Sequence, residues 1–174
     1  MKTLKGKRVA MVIAHQGFRD EELLKPKEIL ESRGAEVLLF STQKGEAKGK
    51  LGAEVQVDGT LDQMNVDELD ALLFVGGPGS RQFFHDATAH RLLQEAEKKQ
   101  KVFGSICSAG ATLAYAGVLK GKKATSYSTE RGDLEKNGAI FIDDSVVVEG
   151  KLVTANGPHA AAAYGEALVK LLEQ

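Results

Sequence analysis

Four stretches of the chain are apolar without alternation: Arg8–Ala14 (RVAMVIA), Glu36–Ser41 (EVLLFS), Ala71–Val75 (ALLFV) and Val102–Ile106 (VFGSI). A strand with one wet face alternates apolar and polar side chains, so an unbroken run predicts a strand covered on both faces. Between these runs the period changes. Leu23, Leu24, Ile29 and Leu30 mark a helix over Glu21–Ser32 that Gly34 is placed to end, and Pro26 predicts a start near itself or a kink. Leu92, Leu93 and Ala96 share one face of a helix over Ala87–Lys99, and further helices are expected at Ala109–Ala116, Thr129–Asn137 and Ala160–Leu172. Residues 45–59, GEAKGKLGAEVQVDG, alternate polar and apolar positions between glycines, which predicts a hairpin projecting from the main sheet. Shorter strands are expected at Lys123–Tyr127, Ala139–Ile142, Val146–Val148 and Leu152–Ala155. Strands alternating with helices predict an α/β fold, a mostly parallel sheet with helices on both faces.

Composition narrows this only slightly. The 174 residues are 43% hydrophobic and 27% charged, as expected of one globular domain spanning 1–174. A formal net charge of −1 gives no electrostatic case for nucleic acid or an anionic membrane. The longest apolar runs are strand-sized, far below the roughly 20 residues that span a bilayer. The start MKTLKGKR is basic, but the apolar run behind it is broken by His15 and Gln16 and lacks a cleavage pattern, so no signal peptide is read. A single cysteine forms no internal disulfide, which fits a reducing compartment and a cytoplasmic protein.

That cysteine, Cys107, stands where strand VFGSI breaks into Ser108, Ala109, Gly110 and Ala111. Strand, sharp turn and helix start form a nucleophile elbow, which needs small neighbours because the lifted side chain is crowded by its own backbone. A helix N-terminus favours an anion, so the thiol pKa is expected to fall, and the amides that follow, Ser108 first, can hold an oxyanion. A cysteine buried as a small hydrophobe is the plain alternative. A second break, GGPGS at 76–80, follows ALLFV; it is a tight turn, or Gly76 and Gly77 bring amides up to a reacting oxygen. After the first strand, AHQGFRDEELLKP offers Asp20, Glu21 and Glu22, and spacing alone does not choose which reaches the thiol. His85 and His90 are five apart, the wrong spacing for a metal pair on one helical face, and are expected at the surface. His15 and His159 each follow a strand end, where ligands bind in open sheets. Either could be an acid–base group, His159 preferentially, since it is held at a helix start.

Together, DEELLKP, LLFVGGPGS, GSICSAGATLAYAGVLKGKKATSY and VVVEGKLVTANGP resemble the ThiJ/PfpI superfamily, in order and spacing from about residue 7 to residue 172. That group includes PfpI-type intracellular proteases and the parkinsonism-associated deglycase. The resemblance implies a flavodoxin-like three-layer sandwich, with Cys107 as nucleophile and Gly76 and Gly77 as the oxyanion site. A glutamate four residues before a proline selects Glu22 ahead of Pro26. The chain departs from the family at two places. Ser108 stands where PfpI-type proteases have histidine, and Tyr127 where the deglycase branch has one.

The resemblance therefore implies a cysteine enzyme acting without cofactor or metal on small reactive carbonyls, of glyoxalase or deglycase type. Cys107 and Glu22 would carry the chemistry, with His159 completing it and His15 and Tyr127 at the pocket. A peptidase or amidase, and a non-catalytic redox sensor or chaperone holding oxidised Cys107, are the alternatives. The absent histidines weaken the peptidase most, because a poor leaving amine needs a proton donor. A small-molecule carbonyl partner and a homo-oligomer are expected.

Overall fold

The computed structural model describes residues 3–174, so two residues of the basic N-terminal stretch lie outside it. In chain order it contains β1 (Arg8–Val12), β2 (Gln16–Phe18), α1 (Asp20–Ser32), β3 (Glu36–Ser41), β4 (Gly45–Gly49), β5 (Glu54–Val57), β6 (Gly59–Thr60), β7 (Ala71–Phe74) and α2 (Ala87–Lys98). There follow β8 (Val102–Ile106), α3 (Gly110–Ala116), β9 (Lys123–Ala124), α4 (Arg131–Lys136), β10 (Ile140–Phe141), β11 (Val146–Glu149), β12 (Leu152–Ala155) and α5 (Ala161–Leu172).

Seven strands form the main sheet in the order β11-β12-β8-β7-β1-β3-β6. All neighbours are parallel except β11, which runs antiparallel to β12 at one edge. The alternation along β1 shows why its sequence has no polar phase. Val9, Met11 and Ile13 pack into the core under α1 and α5 with Leu23, Leu30, Tyr164 and Leu168. Ala10 and Val12 pack into the other, with Leu92 and Leu93 of α2 and Leu113 of α3. Burying such a side chain stabilises the fold by roughly 1.5–3 kcal/mol each, so the sheet needs helices on both faces. This is the flavodoxin-like three-layer sandwich.

The predicted hairpin is present: β4 and β5 pair antiparallel, and β2 joins β4 to make a separate three-stranded sheet. Asp20 ties it to the main body, its carboxylate accepting the Leu51 and Ala53 amides at 2.9 and 2.8 Å. Three expectations need correction. Helix α1 begins at Asp20 and runs through Pro26 rather than starting near it. The strand expected over Lys123–Tyr127 stops at Ala124, because the Thr125 amide turns to Thr154 Oγ1 at 2.9 Å and the Tyr127 amide to the Cys107 carbonyl at 3.1 Å. The helix expected over Thr129–Asn137 is a 3-10 turn, Ser128–Glu130, followed by the short α4.

Chain order places the functional region. From β1 the sheet grows to one side through β3 and then to the other through β7 and β8, so the crevice beyond the carboxyl ends of β1 and β7 is the topological switch point. The segments leaving β1, β7 and β8 carry Glu22, Gly76 and Cys107.

Candidate active site

Cys107 has φ 61°, a left-handed backbone conformation on a residue with a side chain. Among the described residues one other non-glycine shares that sign, Gln100 at φ 58°. The strain, of order 1–2 kcal/mol, is imposed by β8 running straight into the 3-10 turn Cys107–Ala109 and then α3. Small residues make this possible: a Cβ on Gly110 would stand 2.8 Å from Ser126 Cβ.

The three acids that spacing left open have three different partners. Asp20 holds the hairpin, as above. Glu21 pairs with Arg19, accepting from Nε at 2.9 Å and Nη2 at 3.0 Å. Glu22 alone turns inward, fully buried, with the Cys107 thiol and the Gly76 amide as the polar groups facing it. Successive helical residues point about 100° apart, so one carboxylate of three reaches the sulfur. Neither Glu22 oxygen has a partner in full hydrogen-bond geometry among the described residues. Gly76 must be glycine here, since a Cβ would sit 2.5 Å from Glu22 Oε1 and 2.7 Å from the Ile106 carbonyl oxygen.

The electrostatics correct the expected fall in the thiol pKa. Burial raises Glu22 to about 7, a shift only partly opposed by the thiol and by Arg19. Burial, then the adjacent Glu22 charge, push Cys107 up to about 12, against the Ser108 amide that favours the thiolate. Helix α3, with seven residues, does not outweigh desolvation beside a carboxylate. The pair competes for one negative charge, and activation of sulfur falls to Glu22 as a proton acceptor rather than to the helix.

A cleft of about 640 Å³ opens above the pair, lined among others by Arg19, Lys50, Gly77, Arg81, Ser108 and Tyr127. The Gly77 amide donates to Ser108 Oγ at 3.2 Å, and that hydroxyl also faces the Gly77 carbonyl at 3.2 Å and Ser80 Oγ at 2.7 Å. Ser108 thus knits the two elbow loops together where a histidine was absent. Tyr127 lines the cleft and is 46% exposed. His159 joins it from the outer edge, exposed, with its ring over Gly157.

His15 is not among the cleft-lining residues, which corrects its expected place there. Its ring meets Gln43 Nε2 at 3.0 Å and its carbonyl accepts the Lys48 amide, so it faces the β2–β4 side. His85 is exposed against Tyr115, with ring centroids 4.3 Å apart, and half-buried His90 meets the Phe84 carbonyl at 2.7 Å. Among the described residues no three His, Cys, Asp or Glu side chains cluster as a metal ion requires, and no helix is long and apolar enough to cross a membrane.

Sequence reasoning missed the charged lining. Lys50 arrives on the hairpin, Arg81 on the turn after Gly77, and Glu130 at the end of the 3-10 turn behind Tyr127. Glu130 is 4% exposed, and its charge acts on Cys107. The one available signal was an acid three residues after Tyr127, in a segment that returns to the elbow.

Known proteins resemble this chain over nearly its whole length. An uncharacterized protein, MJ0967, of Methanocaldococcus jannaschii is 41% identical over 174 residues, 98% of this chain and 85% of that one. Deglycase PfpI of Pyrococcus furiosus is 38% identical over 156 residues, 90% of this chain and 94% of that one. The crystal structure of a ThiJ/PfpI domain protein from Brachyspira murdochii superposes with a TM-score of 0.94 at 32% identity, covering 99% of this chain and 98% of that one. The pattern of the DJ-1/PfpI family matches residues 7–171, and the chain belongs to that family.

Proposed function

We propose that this protein is an enzyme that uses Cys107 against small reactive carbonyls or their early adducts, in the manner of a glyoxalase or deglycase. The observation that carries the reading is the buried Glu22 carboxylate facing a thiol that the backbone holds in a strained conformation at the floor of a cleft. The name of the Pyrococcus relative, a deglycase, supports the same class.

A thiol pushed up to about 12 is a poor nucleophile by itself, and a neighbouring carboxylate poised near 7 is a competent base at neutral pH. As a carbonyl carbon approaches, the S–H proton passes to Glu22, the C–S bond forms and the C=O π pair moves to oxygen. Glu22 is then protonated and able to return a proton. The Ser108 amide, already directed at the sulfur, is the backbone donor placed for the developing oxyanion, the Gly77 amide being engaged by Ser108 Oγ. Nothing at Ser108 or Tyr127 supplies the acid that expulsion of an amine from a peptide needs, which favours a carbonyl over an amide substrate.

Methylglyoxal consumption by the wild-type protein, with Cys107→Ala and Glu22→Gln beside it, tests this. Turnover lost at least a hundredfold in both variants supports the reading; consumption by Cys107→Ala at the wild-type rate overturns it.

A further inference from the structure

We infer that Glu130 is a second catalytic acid–base group of this cleft, placed to move the carbon-bound proton of a substrate held on Cys107. The inference rests on the carbonyl reading above and assigns to a carboxylate the task for which a histidine was expected.

Glu22 serves the sulfur from below. Both its oxygens are sealed from solvent, whereas a carbon bonded to sulfur stands on the cleft side. Glu22 and Glu130 both border the cleft, and Glu130, at 4% exposure, does so from the loop that follows Tyr127. Its loop is anchored to the elbow, since the Tyr127 amide donates to the Cys107 carbonyl and the Glu130 amide to the Tyr127 carbonyl. Its oxygens accept one hydroxyl, Thr129 Oγ1, at 2.8 and 2.7 Å, and among the described residues no cation lies within ion-pair distance. A buried carboxylate so sparsely satisfied is expensive to keep, and such groups concentrate where protons are moved. The charged groups facing it are Asp133 on α4, Arg81 on the turn after Gly77, and Cys107 itself. Burial raises its proton affinity, which suits exchange nearer neutrality.

With a 2-oxoaldehyde, addition of the thiol leaves a C–H flanked by sulfur, hydroxyl and a neighbouring carbonyl. Glu130 takes that proton, the C–H pair becomes the C=C of an enediol, and the neighbouring oxygen is protonated. Glu130 then returns the proton to the neighbouring carbon, while the hydroxyl on the sulfur-bearing carbon releases its proton to water, replacing the one that water gave the neighbouring oxygen. The sulfur-bearing carbon is oxidised to a thioester while its neighbour is reduced to a carbinol, so no external oxidant is used. Water cleaves the thioester, releasing a 2-hydroxy acid and the free thiol.

The test compares wild type, Glu130→Gln and Glu130→Asp on methylglyoxal, reading hydroxy-acid formation and, by intact mass, the adduct on Cys107. Glu130→Gln is expected to form the adduct as wild type does while hydroxy acid falls roughly 10²–10⁴-fold, with Glu130→Asp recovering about tenfold or more. If Glu130→Gln turns over within a few-fold of wild type while Cys107→Ala is dead, the inference fails and the parent reading stands. If Glu130→Gln loses the adduct too and Glu130→Asp recovers nothing, the residue is structural and the inference fails. If wild type makes no hydroxy acid, the parent reading falls and the inference with it.

Discussion

Glu22 and Cys107 face each other at the floor of the cleft and compete for one negative charge: burial raises the proton affinity of both, and the Glu22 charge raises that of the thiol further. The arrangement is unfavourable for the fold and useful for chemistry, and the two consequences are separately measurable.

Stability should carry the mark of Glu22. Its folded pKa, about 7, lies above the ordinary value of 4.5. The folded state therefore holds this proton more tightly, and the stability it contributes is fully present below pH 4.5 and lost as pH rises through 7. Glu22→Gln mimics the protonated acid at every pH. It should be more stable than wild type at pH 8 by about 3 kcal/mol at ~1.36 kcal/mol per pKa unit, the gap closing near pH 4. Urea unfolding of both proteins across that range would show it; a constant gap would mean that Glu22 ionises normally.

Thiol reactivity should titrate as a pair rather than as a lone cysteine. Alkylation of Cys107 by iodoacetamide is expected to rise as Glu22 empties near pH 7, level off, and climb again toward 12. In Glu22→Gln the step near 7 disappears and a single rise remains. Identical profiles for the two proteins would sever Glu22 from the sulfur.

The elbow's strain predicts an inversion of the usual order of substitutions. Cys107→Ala keeps a Cβ at φ 61°, and Cys107→Gly removes it. Relief of roughly 1–2 kcal/mol exceeds the ~0.4–1 kcal/mol entropic penalty of glycine in the unfolded chain. The glycine variant, although smaller, should thus melt no lower than the alanine one. A glycine variant less stable than alanine by more than about 1 kcal/mol would show that the elbow is unstrained.

Gly76→Ala should disrupt the pair without touching either member. The added methyl would meet Glu22 Oε1, the Ile106 carbonyl oxygen and Cys107 Cβ at 2.5–2.8 Å. Overpacking of this kind costs about 1–3 kcal/mol, and the displaced carboxylate should erase the alkylation step near pH 7. A variant with wild-type stability and an intact step would show that the loops yield freely.

Much of this was legible in the chain, and the reason varies by element. The unbroken runs of β1, β3, β7 and β8 announced two-sided burial, and Gly34, φ 101°, does follow the end of α1. Cys107 stood out because small residues are the only ones an elbow admits. The choice among Asp20, Glu21 and Glu22 was not legible from spacing, because it depends on the rotational phase of α1. Arg19, at its N-cap, makes no side-chain cap bond that would have marked the start. Only the resemblance to a family chose Glu22. Glu130 was invisible for a different reason: β9 gives up its ladder to Thr154 and the elbow, and that tertiary bend carries the acid into the cleft.

The burial of Cys107 also alters the protein's chemical lifetime. An unfolded chain presents this thiol with an ordinary pKa near ~8.5, so several per cent is thiolate at neutral pH and open to any passing electrophile. Glu22 and the strands that half-bury the thiol come from distant parts of the chain, and such parallel, non-local pairing is slow to form. The hazardous interval is therefore before the sheet closes. Once closed, it holds the sulfur protonated, so the resting thiol is spared random alkylation and gives up its proton near neutrality where Glu22 can receive it.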